Sequence, residues 1–279
     1  MRFLSPAKIN LHLEVLEKRP DGYHEIQTLM QRVDLSDEME IHPGGQGIRL
    51  IAEGEAVPPG MDNLACQAAH LFCREAGIPE QLEIRIRKRI PVGAGLGGGS
   101  GNAAAVLAAL NNFFQTGLNA DLLMQLGARL GADIPFFLFL KPALARGKGE
   151  RLSPVSVPGG LGFLLLIPPF RISTAWSYET FDRLTGGKRK EGTPLKASYE
   201  TLADLLAILK NDLEIPALSR YPEIGRMKEE LLRRGARGAL MTGSGPVTFG
   251  IFPSTEETEE ALKELVLPQG WKADICSAL

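Results

Sequence analysis

The densest run of residues able to do chemistry is Pro91-Val92-Gly93-Ala94-Gly95-Leu96-Gly97-Gly98-Gly99-Ser100-Gly101. Six glycines within nine residues leave the backbone uncovered, and an Ala/Leu-rich stretch over residues 103–114 reads as a helix directly after them. The first N–H groups of a helix lack intrahelical acceptors and carry the positive end of its dipole. Bare amides at such a start make a place for a di- or triphosphate. Ser100 adds a hydroxyl there, or alternatively caps the helix, a role worth about 1 kcal/mol. Two better-known phosphate loops fit less well. The P-loop needs a lysine after its glycines, and none follows. Gly93, Gly95 and Gly98 satisfy G-x-G-x-x-G, but a dinucleotide fold also needs a buried parallel strand before it and an acid about 20 residues after it. The strand before this run has a charged face, and residues 111–118 offer no acid.

Other candidates are single residues. Lys8 lies in an apolar stretch, where a lysine is costly to bury unless paired. It is either a held cation or a surface lysine on the wet face of a strand. Asp133 stands before Ile134-Pro135-Phe136-Phe137, in apolar company. It could serve as a base, or it could cap a helix that starts at Pro135. Tyr23 and His24 follow the turn Arg19-Pro20-Asp21-Gly22, where cross-strand packing is their plain role. Thr242-Gly243-Ser244-Gly245-Pro246 is a second glycine-rich turn, between two strand-like runs.

These residues need a mixed scaffold to position them. Ile9, Leu11, Leu13 and Val15 alternate with polar residues, the pattern of a half-buried strand. Residues 26–41 and 48–52 read as further strands, and Leu82, Ile84 and Ile86 mark one with a wet face. Arg85, Arg87 and Arg89 form a basic face there. Asp62 or Asn63 could cap a helix through Ala65, Ala68, Ala69 and Phe72. A helix over 120–130, a strand over 163–167 and a helix capped by Ser173 or Thr174 follow. Residues 185–197 read as a mobile surface loop. Helices are expected over 199–209, 224–234 and 256–265, and strands over 238–241, 247–252 and 271–275. This mixture indicates an α+β fold. Pro154, Pro158, Gly159 and Gly160 place a domain boundary between 1–155 and 156–279.

Bulk properties narrow the function classes. The chain has 279 residues, enough to bury a core in one or two domains, and 44% apolar residues. Its net charge of −2 supplies no global basic field for nucleic acid or an anionic membrane. Cys66, Cys73 and Cys276 show no metal-ligand spacing and read as reduced core thiols, so no metal site is expected from protein ligands. With no apolar leader, the chain is expected to be cytoplasmic.

Residues 91–105 resemble the phosphate-binding motif of the galactokinase, homoserine kinase, mevalonate kinase and phosphomevalonate kinase (GHMP) superfamily. Further segments match in order: Pro6-Ala7-Lys8-Ile9-Asn10-Leu11, Arg19 to His24, Gly131 to Phe137, Ala145 to Glu150, Asn211 to Glu214 and Thr242 to Pro246. They look most like the branch that phosphorylates a cytidine diphosphate-linked methylerythritol in non-mevalonate isoprenoid synthesis. The resemblance implies a two-lobed α+β fold whose N-terminal lobe resembles ribosomal protein S5 domain 2. It implies ATP and Mg²⁺, with Asp133 as catalytic base and Lys8 as its partner. Pro91, Gly93, Ala94, Gly95, Leu96, Gly97, Gly98, Gly99, Ser100 and Gly101 would hold the phosphates, and Asn63 would lie beside the adenine. Asn10, Tyr23, His24, Gly243 and Ser244 would contact the substrate, with Tyr178 a second aromatic candidate. The partner would be this small molecule, acting on a monomer or homodimer, with no nucleic acid and no membrane. Where the superfamily motif usually has a second serine, this chain has Gly101, which implies an altered nucleotide affinity. The rival readings are another kinase of the superfamily, of homoserine or mevalonate type, and a non-catalytic nucleotide-binding protein on the same scaffold.

Overall fold

The computed structural model describes residues 1–186 and 190–279, so residues 187–189 of the expected 185–197 loop lie outside the described residues. The chain forms two compact units, each assembled from separate stretches. One comprises residues 1–7, 35–92 and 97–140; the other comprises 8–34, 93–96 and 141–279. Two long strands, β1 (Arg2–Lys18) and β2 (His24–Pro43), contribute residues to both.

In the first unit, β3 (Gly47–Glu53) runs parallel to β4 (Gln81–Arg87), and β4 runs antiparallel to the last part of β2. A parallel pair needs a crossover connection. Here α1 (Leu64–Ala76) supplies it, started by Asn63, whose side chain accepts from Ala65 N at 2.9 Å. Leu82, Ile84 and Ile86 of β4 are buried while Arg85 and Arg87 face out. That basic face is ion-paired: Arg85 with Glu83, Arg87 and Arg89 with Glu38. α1 packs on α2 (Gly98–Phe114), which packs on α4 (Ile134–Phe139); α3 (Ala120–Ala128) packs on α4 as well.

The second unit has a hairpin of β5 (Ala143–Gly147) and β6 (Arg151–Pro154), with β5 antiparallel to residues 26–30 of β2. Its four-stranded antiparallel sheet has the order β11-β7-β10-β9, from β7 (Gly162–Ile167), β9 (Gly238–Met241), β10 (Thr248–Phe252) and β11 (Lys272–Ser277). Helices α5 (Thr174–Thr185) and α6 (Leu202–Leu206) precede β8 (Lys210–Asn211), which pairs parallel with His12 and Leu13 of β1. Then come α7 (Glu214–Arg220), α8 (Glu223–Arg233) and, after β10, α9 (Thr255–Lys263). Leu13, Leu164, Phe181, Ile224, Leu231 and Phe252 share one core.

Several expectations need correction. Residues 26–41, readable as one strand or two, form one. The helix expected over 199–209 is confined to α6: Thr201 and Asp204 form a capping box that starts it, and Tyr199 N bonds Ser156 O instead. The helix α7 was not expected. Its Pro216 occupies the first turn, where the missing N–H costs nothing. Cys66, Cys73 and Cys276 are buried free thiols, with burial pushing each above its ordinary pKa. No helix among the described residues is long and apolar enough to cross a membrane.

Candidate active site

The glycine run is only partly a loop. Helix α2 begins at Gly98, not near Ala103, with Gly97 at its N-cap in the left-handed region (φ 70°). Ser100 is therefore inside the first turn and does not cap. The early start has a packing cause. A Cβ on Gly98 would lie 3.0 Å from Ile90 Cγ2 and 3.1 Å from Lys88 Nζ; one on Gly101 would lie 2.8 Å from Pro6 O and 3.0 Å from Ser5 Oγ. These glycines let the helix close on its neighbours despite a propensity cost near 1 kcal/mol each. The amides of Gly98, Gly99 and Ser100 open the helix without intrahelical acceptors, while Gly101 N already bonds Gly97 O at 2.8 Å. Pro91, Asn63 and Asp133 belong to the same unit. Asn63 holds its helix cap and also donates to Pro58 O at 3.1 Å. Asp133 occupies the N-cap position of α4, yet its half-buried side chain makes no capping bond. The plain structural role proposed for it is thus not taken up.

The other unit holds Gly93, Ala94, Gly95 and Leu96 with Lys8 and the turn after β9. Lys8 is 3% exposed, so it is a held cation and not a surface lysine. Its Nζ donates to Asn10 Oδ1 at 2.5 Å and to Gly95 O at 2.9 Å, and its backbone N bonds Leu96 O. Asn10 donates from Nδ2 to Thr28 Oγ1 at 2.8 Å and from its backbone to Thr242 Oγ1 at 3.1 Å. Thr28 in turn donates to His12 O. Gly95 (φ 81°) must be glycine, since a Cβ there would meet Thr242 O at 2.1 Å. Gly243 backs onto Gly95, and Ser244 Oγ shares a hydrogen bond with Thr174 Oγ1 at 2.9 Å. Asn211 Nδ2 holds this turn through Met241 O and Gly243 O, at 2.7 and 2.8 Å.

Tyr23 and His24 diverge at the start of β2. His24 is buried and stacks on Tyr178 of α5, with ring centroids 4.7 Å apart. Its Nε2 lies 2.8 Å from Asp182 Oδ1. Burial works to raise the Asp182 carboxyl, but hydrogen bonds from His24 and Lys18 outweigh it and hold it below its ordinary value. An ionised carboxylate only accepts, so Nε2 carries the proton. Tyr23 is exposed, with Lys148 Nζ 4.4 Å from its ring centroid. An exposed aromatic and a pinned imidazole on one turn can stack on a flat base and read its edge.

The GHMP kinases N terminal domain matches residues 63–141, and the GHMP kinases C terminal domain matches residues 195–267. The chain belongs to the GHMP kinases. It is 44% identical, over 98% of its length and 97% of the relative's, to the 4-diphosphocytidyl-2-C-methyl-D-erythritol kinase of Citrifermentans bemidjiense. The enzyme of that name from Geobacter metallireducens is also 44% identical, over 96% of this chain and 94% of the relative. A crystal structure of a 4-(cytidine 5'-diphospho)-2C-methyl-D-erythritol kinase superposes with a TM-score of 0.80 at 34% identity, covering 99% of both chains. The mevalonate kinase of Methanococcus jannaschii shares the fold, with a TM-score of 0.71 at 16% identity over 100% of this chain and 98% of that one.

In this GHMP kinase, sequence reasoning missed four supporting residues. Thr28 and Asn211 brace the Lys8 cluster and the turn beside it, Asp182 fixes His24, and Asp37 lies beneath the glycine run. Asn211 alone had a signal, in the matched Asn211-Asp212-Leu213-Glu214 segment. The others are lone polar residues whose partners are distant in sequence. Among the described residues no group of three His, Cys, Asp or Glu side chains could hold a metal ion.

Proposed function

We infer that this GHMP kinase transfers the γ-phosphoryl group of ATP to the 2-hydroxyl of 4-diphosphocytidyl-2-C-methyl-D-erythritol, a step in non-mevalonate isoprenoid precursor synthesis. The observation that carries this reading is the near-full-length likeness to relatives of that name. In the proposed assignment, the amides of Gly98, Gly99 and Ser100 hold the phosphates, with Pro91, Gly93, Ala94, Gly95, Leu96, Gly97 and Gly101 lining the run, and Asn63 lies beside the adenine. Asp133 accepts the proton of the acceptor hydroxyl as its oxygen forms a bond to the γ-phosphorus and the bond to ADP breaks. Lys8 stabilises negative charge developing at the reacting oxygens, and Asn10 orients both Lys8 and the substrate. Tyr23 and His24 read the cytosine, while Gly243 and Ser244 cover the substrate. Mg²⁺ would neutralise phosphate charge while bound mainly by phosphate oxygens and water, and Ser100 is the hydroxyl the helix start would offer it. The proposed setting is the cytoplasm, with the chain a monomer or homodimer acting on a small molecule.

ADP release measured with 4-diphosphocytidyl-2-C-methyl-D-erythritol, homoserine and mevalonate tests the reading. Turnover with the cytidine compound should exceed the others by about 100-fold or more in kcat/KM, since unpaired site groups penalise the wrong substrate. Faster turnover of homoserine or mevalonate would assign a different kinase. Tight ATP binding with no turnover of any alcohol would make the protein a non-catalytic binder.

A further inference from the structure

We propose that Asp37 is a positioning residue for the nucleotide: its buried carboxylate ties the backbone entering the glycine run to the helix leaving it. This rests on the reading that the run holds phosphates. Asp37 is fully buried in β2. Its Oδ1 accepts from Arg89 N and Ile90 N, both at 2.9 Å, immediately before Pro91. Its Oδ2 accepts from Asn102 Nδ2 at 2.9 Å, inside the start of α2, and from Lys88 Nζ. The second Asn102 amide proton goes to Ser5 Oγ at 3.0 Å, so that amide nitrogen is saturated.

One side chain therefore closes the base of the glycine run from both ends. Glycine backbone has the most conformational freedom to lose when a ligand orders it. Ordering it beforehand lowers that cost at the moment of binding. A buried carboxylate is an expensive way to fill space, and an apolar pair of similar shape is often as stable. Its four donors instead give it a directional task. Lys88 completes the device. Its ammonium balances Asp37 and sits under the first residue of α2, 3.1 Å from where a Gly98 Cβ would be.

The test uses the full chain carrying Asp37→Asn with Lys88→Met, which removes both charges together, and separately Asn102→Ala, which cuts one arm only. KM for ATP should rise about 10-fold in the double variant and about 3-fold in Asn102→Ala, as pre-organisation is lost. The KM for the acceptor alcohol should stay within about 2-fold, because nothing proposed for it touches this clamp. Amide exchange over residues 92–101 without nucleotide should quicken in both. A lowered Tm with unchanged KM for ATP, or an equal rise in both KM values, would overturn the proposal. If the double variant does not fold, Asn102→Ala decides by the same split. If the parent itself binds no ATP, the functional reading fails; unchanged exchange over 92–101 would then separately sink the clamp.

Discussion

Lys8 and Lys88 are both buried lysines that reach the glycine run, and they are held differently. Lys88 Nζ meets Asp37, a carboxylate buried as deeply as itself. Lys8 Nζ donates to Asn10 Oδ1 and to the Gly95 carbonyl, and those two bonds orient it. The Asp37 contact makes Lys88 part of the scaffold. The Asn10 and Gly95 oxygens aim the Lys8 ammonium, which the proposed reaction uses. The comparison separates residues that shape the site from residues that act in it.

Among the lysines, the largest effect should come from Lys8, the one proposed to act in the reaction. Lys8→Met is expected to lower kcat by about 100- to 1,000-fold, the usual loss for one transition-state charge contact, in steady-state assays at saturating ATP. A kcat within about 3-fold of the parent would place Lys8 with the scaffold. Lys88→Met should act first on stability. It strands Asp37 in the core, at a cost of about 3–5 kcal/mol for a broken buried pair, read as a shifted denaturant midpoint.

A third lysine sharpens the rule. Lys210 lies beside the buried Glu14 in the second unit, 2.5 Å from Oε1. Burial works to raise the Glu14 carboxyl, but hydrogen bonds from Lys210 and Thr193, with His12 close by, bring it from 4.5 to about 2. A carboxyl depressed in the folded state adds stability that is fully present above pH 4.5 and is lost as pH falls toward 2. Glu14→Gln should flatten the acid limb of the stability–pH curve by on the order of 2 kcal/mol while kcat at neutral pH stays within about 2-fold. An unchanged acid limb would remove Glu14 from the scaffold class. The smallest effect should come from Gly101→Ser. Its side chain would press on Pro6 O and Ser5 Oγ, at an overpacking cost of about 1–3 kcal/mol. Thermal unfolding checks this, and an unchanged Tm would show that β1 yields there.

The sequence made the residues proposed to act readable and left most of the scaffold hidden. Lys8 is conspicuous in an apolar strand, and the glycines point to the proposed phosphate site. Yet glycine's low helix propensity argued for a loop through Gly101, whereas tight packing against Ser5, Pro6 and Ile90 makes those residues helical. The seven-residue α7, with Pro216 in its first turn, is too short to show a helical period in the sequence. Asp37 looked like any acid on a strand, since its four donors come from residues 88–102. Alternation fixes which face of a strand is buried, and it carries no information about such distant partners.

The most direct test of the central claim concerns Asp133, measured with ATP binding and phosphoryl transfer side by side. Asp133→Ala should bind ATP with a Kd within about 3-fold of the parent while transfer to 4-diphosphocytidyl-2-C-methyl-D-erythritol falls by about 1,000-fold or more, as expected when a general base is removed. Near-parental transfer by that variant would contradict the account.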